Sequence, residues 1–122
     1  MTQRVVYKIC PRSAWQSALV RGAYEGSEAD RRDGFIHLSN DDQVEETAAR
    51  HFGGQRDLVL VALDAAALGP ALRDERSRGG ALFPHYHGAM PTSAALWVEP
   101  LPLDHAGGFA FPDRIRNEKS KR

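Results

Sequence analysis

Polar and apolar positions alternate at the start of the chain. Val5, Tyr7 and Ile9 fall on one side and Val6 and Lys8 on the other, and this period of two predicts a strand. Ser13 and Gln16 then have the spacing of a capping box, Trp15, Ala18 and Leu19 recur at helical intervals, and Gly22 supplies a stop. Residues 23–33 carry six charged side chains and read as a surface loop. Gly34-Phe35-Ile36-His37-Leu38-Ser39 reads as a short strand with Phe35, His37 and Ser39 on one face and Ile36 and Leu38 on the other. Asn40 and Gln43 repeat the capping spacing ahead of a helix through Val44, Thr47, Ala48 and His51-Phe52, which Gly53-Gly54 closes.

Residues 58–63 are apolar on both faces, the pattern of a central, fully buried strand. A single helical turn at 65–68, a strand at 71–75, an ordered loop at 76–90, a strand at 94–99 and a short edge strand at 108–111 follow. Two early helices followed mainly by strands predict an α+β domain with a mixed or largely antiparallel sheet.

Length and charge narrow the function classes. The 122 residues suit one domain, expected at 1–113, and the stretch 114–122, with five cations against Glu118, reads as a flexible charged tail. The formal charge of zero is a cancellation between a body at −4 and a tail at +4. A body this acidic argues against bulk binding to nucleic acid, so an anionic ligand would depend on a few placed arginines. One cysteine, Cys10, forms no internal disulfide, and its place after a strand and before Pro11 suits a buried thiol better than a nucleophile. No apolar run approaches the ~18 residues of a membrane span, and no secretory signal pattern opens the chain, so a soluble cytoplasmic protein is expected.

Three places concentrate chemistry. His37 and Ser39 share a strand face about 7 Å apart, where imidazole and hydroxyl could hold a sugar or phosphate; the plainer reading is a histidine satisfied by backbone beside a capping serine. The segment from Glu75 through Arg78-Gly79-Gly80 to Phe83-Pro84-His85-Tyr86-His87 is too polar for core. Arg78 before two glycines has the form of an anion-receiving turn, and Phe83, His85 and Tyr86 offer rings for stacking or acid–base work. The plainer alternative is a stabilising loop in which Arg78 pairs with Glu75 or a carbonyl. His85-x-His87 lacks the third and fourth ligands of a zinc site, so no metal is expected. The chain has no GxSxG, GxxxxGK[ST] or GxGxxG motif, and Trp15 and Trp97 read as packing residues.

Tyr7-Lys8-Ile9, Trp15, Ala18, Gly22-x-Tyr24-x-Gly26-Ser27, Asp33-Gly34-Phe35-Ile36-His37-Leu38-Ser39, Gln43, Thr47-Ala48, His51-Phe52, Asp57-Leu58-Val59-Leu60, Arg78-Gly79-Gly80-x-Leu82-Phe83-Pro84-His85 and Phe109-x-Phe111-Pro112 together resemble the bacterial family called domain of unknown function 952. The resemblance runs to Pro112 and implies a fold similar to the ADP-ribosyltransferase superfamily, which includes RNA 2′-phosphotransferase. That fold is a split β-barrel-like sheet, here with two main helices, holding NAD in a cleft. By this resemblance Tyr7, beside Lys8, takes the first-strand position where the superfamily has His or Arg, and His37-Leu38-Ser39 matches the second motif. For the third, acceptor-orienting carboxylate only Glu75 and Glu99 are available. Tyr7 supplies no charge, so a diphosphate would need Arg78, and His85-Tyr86-His87 departs from the apolar residue and Tyr usual after the family's His. Some members carry a glutathione S-transferase label; this chain is too short for that two-domain enzyme and has none of its motifs.

The expected protein therefore has a cleft for NAD or an ADP-ribose-like nucleotide, with NAD as substrate rather than bound cofactor. His37, His85 and Glu75 would be the catalytic groups, and Tyr7, Ser39, Arg78 and Phe83 the binding groups. Two classes stay open: an ADP-ribosyl- or 2′-phosphotransferase-like enzyme, and a non-catalytic small-ligand binder on the same fold.

Overall fold

The computed structural model describes residues 3–115, the side chain of Arg78 excepted. β1 (Val5–Pro11) pairs antiparallel with β4 (Leu58–Asp64) along its whole length, Val5 opposite Asp64 and Pro11 opposite Leu58. The other edge of β4 carries β8 (Ala95–Pro100), also antiparallel, so the continuous apolar run lies in the middle of this sheet. Alternation sends the two faces into different cores. Val6, Cys10, Val59, Val61 and Leu63 pack with Trp15 and Ala18 of α1 (Arg12–Arg21). Val5, Tyr7, Ile9, Leu58, Leu60 and Ala62 pack with Val44 and Ala48 of α3 (Val44–His51) and with Leu101 and Ile115. A strand buried on both faces needs apolar residues at every position, which is why 58–63 shows no alternation.

Two smaller antiparallel sheets complete the α+β architecture. One pairs β2 (Ala23–Tyr24) with β7 (Met90–Pro91). The other has the order β3 (Ile36–His37), β6 (Leu82–Tyr86), β5 (Leu72–Arg76). Every strand pair among the described residues is antiparallel, and none of the three sheets closes into a barrel. The helical turn at 65–68 is α4 (Ala65–Leu68), capped by the Asp64 side chain.

The structure corrects several local expectations. The stretch 23–33 is not a loop: β2 occupies its start and α2 (Glu28–Asp33) its end. The capping box lies here and not at Ser13–Gln16, because α1 follows directly on β1 with Pro11 at its N-cap and no side-chain cap. Ser27 Oγ accepts from Asp30 N at 3.1 Å while Asp30 Oδ2 accepts from Ser27 N at 2.9 Å. Gly26 sits beside this box at φ 106°, where a Cβ would lie 2.8 Å from that of Asp30; a side chain there is excluded by both space and backbone. At Asn40 only half of the expected box forms, with Gln43 Oε1 accepting from Asn40 N.

The ordered loop expected at 76–90 contains β6, flanked by strands on both sides, and pairing on two edges outweighs the poor strand propensity of its Pro and His residues. The edge strand expected at 108–111 reduces to a single bridge between Leu103 and Phe109. Two residues of the expected tail, beyond the expected boundary at 113, pack against the body. Ile115 is 1% exposed in the second core, Arg114 pairs with Glu99 at 2.8 Å, and its guanidinium lies over Trp97. The rest of the expected tail, 116–122, lies outside the described residues. No helix among those described is long and apolar enough to cross a membrane.

This arrangement predicts where truncation hurts. Leu60→Ala removes a fully buried side chain between two packed layers and should cost about 2–5 kcal/mol in urea denaturation. Val20→Ala, on the 89% exposed outer side of α1, should stay within about 0.5 kcal/mol.

Candidate functional site

Register builds the site. Across the sheet of β3, β6 and β5, Ile36, Tyr86 and Leu72 form one row and His37, His85 and Arg73 the next. Ile36 and Tyr86 belong to the first core and Leu72 packs against it. Alternation therefore sends the second row, with Glu75 and Phe83 further along, to the opposite face. Phe35, two residues before His37, covers this face. Its ring stacks on His85 at 3.9 Å between centroids and lies 4.7 Å from His37 and 5.7 Å from His87. His37 and His85 meet edge to face at 5.7 Å.

Asp30 is the hub beneath His37. Its Oδ1 takes His37 N at 3.1 Å and His37 Nδ1 at 2.6 Å, and its Oδ2 takes Ser27 N and Lys8 Nζ, each at 2.9 Å. Lys8 Nζ also donates to His37 O at 3.0 Å, and both members of the ion pair are buried. Burial by itself would raise the Asp30 pKa. The hydrogen bond from His37, the Lys8 charge and hydrogen bond, and the Ser27 amide outweigh it and hold the carboxyl well below the usual range. The outer nitrogen of His37, Nε2, meets Asp33 Oδ2 at 2.9 Å.

A second carboxylate holds the other two imidazoles. Glu75 Oε1 lies 2.9 Å from His85 Nδ1 and 2.8 Å from His87 Nε2, and these hydrogen bonds, led by that of His87, lower its pKa. The accessible side chains of the patch are His37, Asp33 and Glu75, each 36–39% exposed, and His87 at 30%. Among the described residues, no group of three or more His, Cys, Asp or Glu side chains is arranged to hold a metal ion.

The structure thus brings His37, His85 and Glu75 together, with His85 as the inner, 4% exposed member and Phe83 in register with Glu75. It does not bring Tyr7 to them. β1 turns Lys8 toward Asp30 and sends Tyr7, 1% exposed, into the opposite core beside Trp97. Ser39 is 3% exposed, paired through its backbone to Tyr7 and through Oγ to Thr47 Oγ1 at 3.1 Å. Glu99 is spent on Arg114. Arg78 lies in the turn between β5 and β6, and its side chain is outside the described ones. Cys10 is buried and its thiol is pushed up to about 11, mainly by that burial.

Sequence reasoning missed Asp30 and Arg73 as members of this region, and named Lys8, Asp33 and His87 without a binding or catalytic role. The legible signal was Ser27-x-x-Asp30, a capping-box spacing with Asp in place of Glu. A groove of about 280 Å³ lined by Glu45, Ala49, Gly53, Phe109 and Phe111 contains none of the candidates.

Residues 9–98 match the family model described as Protein of unknown function (DUF952). The chain belongs to the DUF952 family. The crystal structure of protein CC0527 from Caulobacter crescentus is 44% identical, with a TM-score of 0.87 over 92% of this chain and 98% of that one. The solution structure of the same protein gives 46% identity and a TM-score of 0.77 over 85% and 90%. The comparison with curated proteins gives no match. The DUF952 match spans β3, β5 and β6, and so the whole His37–His85–Glu75 patch.

What this DUF952 site can do chemically is hold imidazoles in fixed orientation by carboxylates and present them beside an aromatic ring, the equipment of acid–base chemistry or of hydroxyl recognition. Its stability is tied to the buried pair. Lys8→Met leaves Asp30 without its counter-ion and should cost about 3–5 kcal/mol in urea denaturation near pH 7. Because the folded-state pKa of Asp30 is depressed, its contribution is complete above the unfolded value near ~4 and is lost as pH falls through the folded value. The wild-type urea midpoint should therefore drop below about pH 4, and drop less in Asp30→Asn, which has no carboxyl to protonate there.

Proposed function

We propose that this DUF952 protein binds a ribosyl nucleotide of the NAD or ADP-ribose type at the His37–Phe35–His87 patch. The reaction class we assign is cleavage at the ribose, either of the nicotinamide–ribose bond or of a 2′-phosphate. The observation that carries this reading is the pair of carboxylate-held imidazoles around one aromatic ring on an open sheet face. Ribose hydroxyls are donors and acceptors that Asp33, Glu75 and His87 match. Positive charge developing on a ribose carbon is stabilised by nearby carboxylates already fixed in place. Arg73, in register with His85, is an arginine that would meet an anionic group on this face. The resemblance to the ADP-ribosyltransferase fold favours the same ligand class.

One observation favours the second reading, a binder without turnover. Tyr7 and Ser39, which the resemblance puts on the ligand, are both buried here, so two of the expected binding groups are out of reach of a ligand at the patch.

Thermal denaturation with NAD, ADP-ribose, nicotinamide and glutathione tests binding. A ligand at about 100 times its Kd should add about 2.7 kcal/mol of stability and raise the melting temperature by several degrees. NAD or ADP-ribose should give the shift and His37→Ala should remove it; no shift with any nucleotide rejects the site. Nicotinamide release from NAD by the wild-type protein, lost in His37→Ala and His85→Ala, then separates enzyme from binder.

A further inference from the structure

The contacts of Asp30 settle where His37 carries its hydrogens. All four groups on this carboxylate come as potential donors: two backbone amides, the Lys8 ammonium and His37 Nδ1. Three of them have no other option. An ionised carboxylate only accepts, so the fourth contact, the 2.6 Å approach of Nδ1, requires a hydrogen on Nδ1. Exchanging the roles would put the hydrogen on Asp30, next to the amide of His37 and within reach of Lys8, and both already donate there.

The structure assigns to Asp30 the role of positioning residue: it pins a hydrogen on His37 Nδ1, so that His37 gains and loses its exchangeable proton only at Nε2. That nitrogen is the one facing Asp33 and the open side of the patch. The remaining groups around the ring do not compete for Nδ1. His85 meets it edge-on, Phe35 offers a ring, and Lys8, bound to Asp30, touches His37 through its carbonyl. Asp33 contacts Nε2 from the end of α2 and is accessible, so it can yield its place to a proton donor on a ligand. When both carboxylates are engaged, each nitrogen carries a hydrogen. When His37 is neutral, the hydrogen left is the one on Nδ1, and Nε2 presents its lone pair outward. In the binding reading above this makes His37 a one-sided acid–base group, and Asp30 acts only through it.

The inference uses the proposed function for the direction in which the proton moves, but its test needs no ligand. Imidazole nitrogen and proton resonances of the full-length, ligand-free protein labelled with nitrogen-15 should be followed through the titration of His37. In the neutral form Nδ1 should resonate in the protonated range and Nε2 in the unprotonated range, the reverse of the tautomer favoured by free histidine. Asp33→Asn should keep this pattern. Asp30→Leu, of similar size, removes the acceptor facing Nδ1 and should shift His37 toward the Nε2-protonated tautomer.

A neutral wild-type ring protonated on Nε2 overturns the assignment. So does an Asp33→Asn spectrum in which the tautomer changes, or an Asp30→Leu spectrum in which it does not. Should Asp30→Leu fail to fold, the wild-type and Asp33→Asn spectra decide by themselves. A pinned Nδ1 hydrogen without any nucleotide-induced melting shift would leave the positioning role standing and remove the nucleotide reading; the converse pair of results would do the opposite.

Discussion

One carboxylate joins three parts of the chain that are otherwise far apart in sequence. Asp30 caps its own helix through Ser27, neutralises Lys8 of the first strand, and holds His37 of the third by both backbone and ring. A charge that is 2% exposed is tolerable only when every lone pair is used, and here each oxygen receives two donors. The geometry of α2, the entry to β3 and the direction of the His37 ring are therefore set together. Loss of any partner leaves the others with unsatisfied polar groups in a dry environment, so the network behaves as a unit.

Sheet register decides what surrounds this hub. Because His37, His85 and Arg73 stand opposite one another on adjacent strands, a slip of one residue would send all three into the apolar core and bring Ile36, Tyr86 and Leu72 to the surface. The apolar row anchors the register and the polar row follows from it. Phe35 then seals His85 and leaves His37, His87, Asp33 and Glu75 accessible at its margin.

Some of this was readable from residue order alone. The run 58–63 marked the central strand because only a strand buried on both faces has no polar positions. Ile36 and Leu38 against Phe35 and His37 announced the faces of the third strand, and the structure sets His37 opposite His85 on adjacent strands. The strand around His85 was hidden by its own composition: Pro84 and two histidines lower strand propensity, and pairing on both edges overrides it. Residues 23–33 looked like loop because their charge density normally means solvent, yet Asp30 among them is buried and accepts four hydrogen bonds.

Order along the chain determined the two helices after β1 and β3, the central strand, and the α+β class, because periodicity and caps are local properties. It also determined that Lys8 and Tyr7 lie on opposite faces, though not which of them meets Asp30 and His37. Only the tertiary structure decided that, by pairing Lys8 with Asp30 and sending Tyr7 into the second core. The partner of a buried charge is chosen by three-dimensional proximity across 22 residues, and no local pattern encodes it. For the same reason the carboxylate behind His37, and with it the ring nitrogen turned toward Asp33, became visible only in the folded chain.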